Sequence, residues 1–411
     1  EAPLAASIVT DGRAMTWEAF SDRARRVAWH LTTEVRLGIG DRVAIALGCD
    51  AELLEVVCGA LMLGCVPVIL SAELDVDATH AVVDRSNAKV LVHLPERAKR
   101  IRTAVKRIPK PWRPVLLERG DRYERMVASA PPAREWQPDP SNDDGRLLVA
   151  VGAGQPGAML VWSDRELVAA LRDSIDPNPR GARVLSVAPL THSLGLFTAL
   201  RTLLAGGTAV LVDVEPLHAG AIWDATVRDD VEVLSIGSAA ALHVLTRALA
   251  DEAAGWKPGR LRAIVSPVRC DAVTRRVFAT AFPEVELREP SDAPRRIDDR
   301  VRVVDLATGR DVVAGSGAIG TVVVGGAVPL GYLDDPERTG ASFCSIGGNR
   351  YGITGERATV DPGGTIHAVL DATPVDEIDQ RNSLADIEVK LRKHPSVAEC
   401  VVVRVGVDEP V

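Results

Sequence analysis

Gly152, Gly154 and Gly157, set between two apolar runs, are the residues of this 411-residue chain whose spacing most plainly suggests chemistry. Lacking a Cβ, glycines let backbone N–H groups close on an anion, which is how phosphate-cradling loops work. The surrounding stretch, Leu147 to Leu167, reads as a strand, a glycine-rich turn and a second strand. No Ser, Thr or Lys stands between Val149 and Trp162, so the loop has the backbone of a phosphate site without its usual side chains. A tight hairpin with no ligand fits the same residues. His192, after Pro189-Leu190-Thr191 and near a helix start, reads as a capping or half-buried histidine. Asp292 lies among Ser, Pro and Arg, and Glu356 follows Thr354-Gly355, so both fit turn carboxylates.

The elements that must position these groups are those of an α/β chain. Trp17, Phe20, Ala24, Val27 and Leu31 recur at steps of three and four and mark a helix that Thr16 can cap. Arg42 to Leu47 reads as a buried strand, Asp50 to Leu63 as a helix capped by Asp50 and stopped by Gly64, and Val66 to Leu70 as a second strand. A helix at His80 to Ser86 and a strand at Lys89 to His93 continue the alternation, which implies a parallel sheet with right-handed crossovers. Pro109 to Asp144, with little periodicity, is expected to be a surface connection. A second α/β layer follows, with strands expected at Val184 to Ala188, Thr208 to Val212, Val231 to Ile236 and Arg262 to Ser266. Its helices are expected at Arg165 to Asp173, Leu194 to Leu204, Ala239 to Leu249 and Ala272 to Phe282.

From Val301 the texture changes to short β-type runs, Val301 to Asp305, Gly317 to Gly325 and Thr365 to Leu370, as in a small antiparallel unit. A polar shift at Asp371 to Asn382 precedes a helix and a strand, the expected start of another domain. The expected architecture is a large α/β domain, 1–370, made of two doubly wound subdomains (about 1–145 and 146–295) and a small β-barrel-like subdomain (296–370). A hinge and the beginning of a small α+β C-terminal domain, 371–411, follow.

Bulk composition bounds the partners. A net charge of −8 argues against nucleic acid or an anionic membrane, since both reward clustered Lys and Arg. The local exception is Arg97 to Lys110, whose cations surround Ile101, Val105 and Ile108 as on a solvated helix face. Six cysteines show neither a CxxC pair nor zinc-finger spacing, so reduced and mostly buried thiols are expected. The most apolar region, Leu53 to Leu70, contains Glu55, Gly59, Gly64 and Pro67 and reads as helix and strand, not a membrane span. With no secretory signal visible, a cytoplasmic location is expected; a first residue other than Met suggests trimming at the start.

Taken in order, the landmarks resemble the adenylate-forming superfamily of acyl-CoA synthetases, peptide-synthetase adenylation domains and luciferases. The resemblance runs through Met15-Thr16-Trp17-Glu18-Ala19-Phe20, Gly40-Asp41-Arg42-Val43-Ala44, and Gly59 to Val68. It continues through Ala188-Pro189-Leu190-Thr191-His192-Ser193-Leu194-Gly195 and Leu203 to Thr208. It extends to Gly331-Tyr332, Asp335-Pro336-Glu337-Arg338-Thr339, Tyr351-Gly352-Ile353-Thr354-Gly355-Glu356 and His394 to Glu399.

Members of that family activate a carboxylate with ATP as an acyl adenylate, and many then transfer the acyl group to a thiol such as CoA. The resemblance makes the glycine stretch the family's phosphate loop, S/T-G-T/S-T-G-x-P-K-G, with Gly152 and Ala153 at hydroxyl positions and Gly157 at the lysine. It aligns Arg288-Glu289-Pro290-Ser291-Asp292 with Y-G-x-T-E, so Ser291 would meet phosphate and Asp292 would hold magnesium as a catalytic carboxylate. Arg288 then replaces the aromatic ring that packs on adenine, and can stack as a guanidinium or fill the pocket. Glu356 would receive the ribose hydroxyls, His192 would form the wall of the substrate pocket as a catalytic residue, and Asp371 would be the hinge.

The resemblance therefore implies ATP, Mg and CoA, with CoA or a carrier-protein thiol as acceptor. The acid is expected to be fatty or otherwise apolar, because no acidic residue stands near Ile236-Gly237-Ser238 to receive an ammonium. The altered phosphate loop leaves a second reading, a non-catalytic relative that binds an acyl group, a nucleotide or a protein. A third is a thioester-handling enzyme that does not use ATP.

Overall fold

The computed structural model describes residues 6–71, 73–130, 146–150, 157–172, 180–214, 217–251, 255–266, 268–290 and 295–369. A hairpin opens the chain, β1 (Ala6–Thr10) and β2 (Arg13–Thr16), turning through Asp11 and Gly12 at positive φ. Thr16 accepts a hydrogen bond from the Ala19 N–H at 3.1 Å and so caps α1 (Trp17–Thr33) as expected. The three-and-four spacing buries Phe20, Ala24, Val27 and Leu31 on one face of that helix, each large side chain contributing about 1.5–3 kcal/mol.

Alternation then proceeds through β3 (Arg42–Ala46), α2 (Ala51–Met62), β4 (Val66–Ile69), α3 (Val76–Ser86), β5 (Val90–His93), α4 (Ala98–Lys106), β6 (Val115–Glu118), α5 (Asp121–Ser129), β7 (Arg146–Ala150) and β8 (Met159–Ser163). Next come α6 (Asp164–Arg172), β9 (Arg183–Val187), α7 (Ser193–Leu204), β10 (Thr208–Leu211), α8 (Ala219–Arg228), β11 (Val233–Ile236), α9 (Ala239–Asp251), β12 (Ala263–Val265), α10 (Ala272–Ala281) and β13 (Glu286–Arg288). The remaining elements are β14 (Val301–Asp305), β15 (Arg310–Asp311), β16 (Gly320–Gly325), β17 (Gly331–Tyr332), α11 (Pro336–Ser342), β18 (Phe343–Ile346), β19 (Asn349–Val360) and β20 (Ile366–Ala368).

The chain divides into two compact units, Glu1–Asp292 with Ala327–Thr339, and Ala293–Gly326 with Gly340–Val411. The first holds two seven-stranded sheets, ordered β17-β8-β7-β4-β3-β5-β6 and β13-β12-β11-β9-β10-β1-β2. The expected boundary at 145/146 is not where the chain changes sheet. β7 pairs parallel to β4 and β8 antiparallel to β7, so both extend the first sheet, while the opening hairpin joins the second sheet through β1 and β10. Sequence order does not reveal this, because either edge of either sheet offers the same unpaired N–H and C=O groups. In the second unit, β14, β15, β16, β18, β19 and β20 pair antiparallel throughout, matching the expected β texture.

Two further expectations are corrected. Pro109 to Asp144 is not a bare connection: β6 pairs parallel to β5, and α5 buries Tyr123, Met126 and Val127. A four-residue strand and a short helix, set among charged residues, lack the length that makes periodicity legible. Asp50 occupies the N-cap position of α2 but makes no capping bond; its carboxylate lies 3.2 Å from Arg119 instead. Residues 370–411, including the expected hinge Asp371, lie outside the described residues.

The helices of the first sheet enclose a carboxylate. Glu55 on α2 is fully buried, accepting from Arg23 Nε at 2.6 Å and from the Tyr123 hydroxyl at 2.8 Å, while Arg23 also forks onto Glu124 at 2.8 and 2.9 Å. Three helices, α1, α2 and α5, are thereby joined at one carboxylate. Removing Glu55 leaves the buried Tyr123 hydroxyl without its acceptor and Arg23 with Glu124 alone, so Glu55→Ala is expected to cost about 2 kcal/mol in urea unfolding. A loss under about 0.5 kcal/mol would show that the network contributes nothing.

Candidate functional site

Both sheets of the first unit reverse their strand order in the middle, the first at β3, flanked by β4 and β5, and the second at β9, flanked by β10 and β11. Loops leaving the carboxyl ends of strands on either side of such a point part to opposite faces and leave a crevice. The two crevices meet in one cleft of about 150 Å³. Leu47, Gly48 and Cys49 line it from beyond β3, Leu94 and Arg97 from beyond β5, Pro189 and Thr191 from beyond β9, and Asp213 and Val214 from beyond β10. Glu73 and Glu96 complete its polar wall, and Arg97 forms an ion pair with Glu73.

Two glycines make the second crevice possible. A Cβ on Gly195 would lie 2.2 Å from the Pro189 carbonyl oxygen, and one on Gly237 would lie 2.7 Å from both the Val187 carbonyl oxygen and the Ala188 Cβ. The first turn of α7 and the loop after β11 therefore close directly on the chain leaving β9. His192 is held there at the N-cap position of α7, its backbone N–H donating to Pro189 at 3.0 Å. Its side chain is exposed and caps nothing, so neither the capping nor the half-buried reading describes it.

Its neighbour Thr191 is the residue the sequence reading passed over. Thr191 is buried, lines the cleft, and has an unpaired hydroxyl among the described residues. A buried hydroxyl without a partner marks a point where a ligand or water can bond. Cys49 also lines the cleft, but burial pushes its thiol up to about 12, so it stays protonated and does not act as a nucleophile near neutral pH. All five described cysteines are free thiols.

Of the residues singled out for nucleotide chemistry, Gly152, Gly154, Ser291, Asp292 and Asp371 lie outside the described residues. Gly157 has φ +77°, and a Cβ there would come within 3.1 Å of Arg85 Cδ and 3.2 Å of Ala81 Cβ on α3. The backbone itself thus calls for glycine at the position where the family pattern carries lysine. Arg288 ends β13 with its guanidinium 2.8 and 2.9 Å from Glu286, which holds the Glu286 carboxyl below its ordinary range. Beside it, Glu289 accepts from the Cys270 N–H at 2.7 Å and from Arg275 at 2.8 Å, tying the loop before α10 to the end of β13.

In the second unit, Glu356 lies on β19 just after Gly355, whose φ is +76°. Its carboxylate forms an ion pair with Arg295, and its N–H donates to Thr354 Oγ1 at 3.2 Å. Among the described residues, no three His, Cys, Asp or Glu side chains gather to hold a metal. No helix among them is long and apolar enough to cross a membrane.

Two α/β sheets that present their crevices to one cleft, with an antiparallel unit whose strand β19 carries Tyr-Gly-Ile-Thr-Gly-Glu, define an adenylate-forming type of fold. A family model described as AMP-binding enzyme matches residues 1–287, and the chain belongs to that family.

It is 23% identical to a 3-oxocholest-4-en-26-oate–CoA ligase of Rhodococcus rhodochrous, over 98% of this chain and 81% of the relative. It is also 23% identical to a medium/long-chain-fatty-acid–CoA/3-oxocholest-4-en-26-oate–CoA ligase of Mycolicibacterium smegmatis, over 99% of this chain and 82% of that one. In fold it is similar to the anthranilate CoA ligase AuaEII in complex with anthranoyl-AMP, at a TM-score of 0.79 and 17% identity, over 98% of this chain and 82% of that one. At 23% identity to the first two of these ligases, the chain is a divergent member of the AMP-binding family.

The glycine loop yields a direct test. Gly157→Lys puts a Cβ at a left-handed residue and is expected to lose about 1–2 kcal/mol of stability, with no gain of ATP affinity by calorimetry. A variant that binds ATP more tightly at unchanged urea midpoint would instead restore the lysine to a position able to receive it.

Proposed function

We propose that this protein is a divergent AMP-forming acyl-CoA synthetase or acyl-AMP ligase that activates a fatty or other apolar carboxylate. The observation that carries the reading is the cleft at the two strand-order reversals, inside the segment that matches the AMP-binding family. In this chemistry a carboxylate oxygen attacks the α-phosphorus of ATP and pyrophosphate leaves. A thiol, of CoA or of a carrier protein, then takes the acyl group and releases AMP. Magnesium would serve by neutralising phosphate charge, with Asp292 holding it and Ser291 meeting phosphate in the family pattern.

The chain's own contribution is shape and exclusion of water. Leu47, Leu94 and Val214 supply apolar surface in a cleft that also carries Glu73, Glu96, Arg97 and Asp213, and the apolar acid is inferred from the fatty and steroid acids in the names of the relatives. Thr191 offers the hydroxyl that can bond the bound group, and His192 stands next to it in the chain at the start of α7.

A second reading, a non-catalytic acyl- or nucleotide-binding relative, is favoured by one set of observations. Glu286 engages Arg288, Arg295 engages Glu356, and Gly157 is packed against α3 in place of a lysine. Each ion pair must open before its residue can meet a nucleotide.

Pyrophosphate exchange and acyl-AMP formation by the full-length gene product, across short, long and aromatic carboxylic acids, separate the readings. Turnover is expected with apolar acids, and Asp292→Ala should abolish it. The absence of both exchange and calorimetric ATP binding would leave only the binding-protein reading.

A further inference from the structure

α4 spends its apolar face on the core, burying Ala98, Ile101, Ala104 and Val105. At 100° per residue, Lys99, Arg102 and Lys106 fall on the opposite stripe, and all three are exposed. The 3₁₀ turn Lys110–Trp112 continues the stripe with exposed Lys110, and Arg113 pins the turn by donating to the Ile108 and Lys106 carbonyls at 2.7 and 2.6 Å.

Trp112 at the tip of that turn is 63% exposed, and Val115, which opens the edge strand β6, is 49% exposed. Lys99, Lys106 and Lys110 make no ion pair with a carboxylate among the described residues, while Arg102 lies 3.6 Å from Glu118. The sequence alone reads these cations as a solvated helix face; the fold adds an exposed indole and, among the described residues, an unpaired edge of β6 beside them.

We propose that this face docks on an anionic lipid bilayer. The chemistry is complementary in two respects. Unpaired lysines on a rigid stripe meet lipid phosphates, each cation near the surface strengthening binding about five-fold. An exposed Trp flanked by Pro111 and Val115 gives an apolar tip with a polar N–H, the side chain favoured at the level of lipid headgroups.

The net charge of −8 does not oppose this, because charges farther from the contact than the Debye length of roughly 8 Å at physiological salt are screened. Because the apolar face of α4 is already buried in the core, the helix lies on the bilayer and does not insert its own hydrophobic side. The surface is independent of the ligase reading and survives if that reading fails.

Co-sedimentation with vesicles tests it, using phosphatidylcholine alone against equimolar phosphatidylcholine and phosphatidylglycerol. The wild-type protein is expected to bind only the anionic vesicles and to be released by high salt. The triple variant Lys99→Glu, Lys106→Glu, Lys110→Glu should lose on the order of 100-fold in partitioning. These sites are exposed, so its circular dichroism should stay unchanged. Trp112→Ala should weaken binding several-fold and leave its salt dependence intact.

No binding to anionic vesicles overturns the proposal. So does equal binding by the wild type and a folded triple variant. Salt-sensitive capture of a DNA duplex by the same lysines, without vesicle binding, would assign the face to nucleic acid instead.

Discussion

The cleft depends on how closely the chain leaving β9 can be approached. Ala188 and Pro189 turn out of the second sheet at the point where strand order reverses, and the start of α7 and the loop after β11 must both close on them. Any side chain at Gly195 or Gly237 would fall well inside contact distance of the Val187, Ala188 or Pro189 backbone. These are steric conditions on backbone atoms, so no rotamer change relieves them. Given those two glycines, Thr191 and His192 are presented at the carboxyl end of the sheet by geometry that tolerates little displacement.

Around that steric centre several charges are satisfied within the chain. Glu55 is paired with Arg23 and hydrogen-bonded by Tyr123 within the helical layer, and Glu289 is paired with Arg275 and hydrogen-bonded by the Cys270 N–H at the far edge of the second sheet. Two residues that the family pattern assigns to the nucleotide, Arg288 and Glu356, are likewise engaged by neighbours. Ion pairs at partly exposed positions contribute little to stability, so they can exchange for a ligand at small cost. The contrast with Thr191 is informative: its hydroxyl is buried and, among the described residues, unpaired, which leaves it open to a ligand or water.

Where periodicity was strong, the elements were legible in advance. The α1 face, its Thr16 cap and the β–α alternation from Arg42 onward follow from local spacing and are present in the fold. Short elements were not legible: β6 and α5 are too brief to announce themselves, and β19 runs twelve residues straight through Gly355, which reads as a turn. Family membership was legible because several landmark motifs recur in order over nearly the whole chain. The role of Gly157 was not, because a missing lysine and a required glycine look identical in sequence.

The sequence by itself determined the class of fold, the helix faces, the glycine positions and the residue types available for chemistry, since all of these rest on local backbone preference and hydrophobic period. Only the tertiary structure decided which residues share a cleft. It joined Leu47, Leu94, Thr191 and Asp213, drawn from four strand ends on two sheets, and it sent the opening hairpin to the second sheet and β7 and β8 to the first. It also left Trp112 and the lysines of α4 exposed at a sheet edge. The physical reason is the same in each case: pairing of strand edges and closeness of approach are non-local, set by which surfaces exclude water together, and no window of sequence contains both partners.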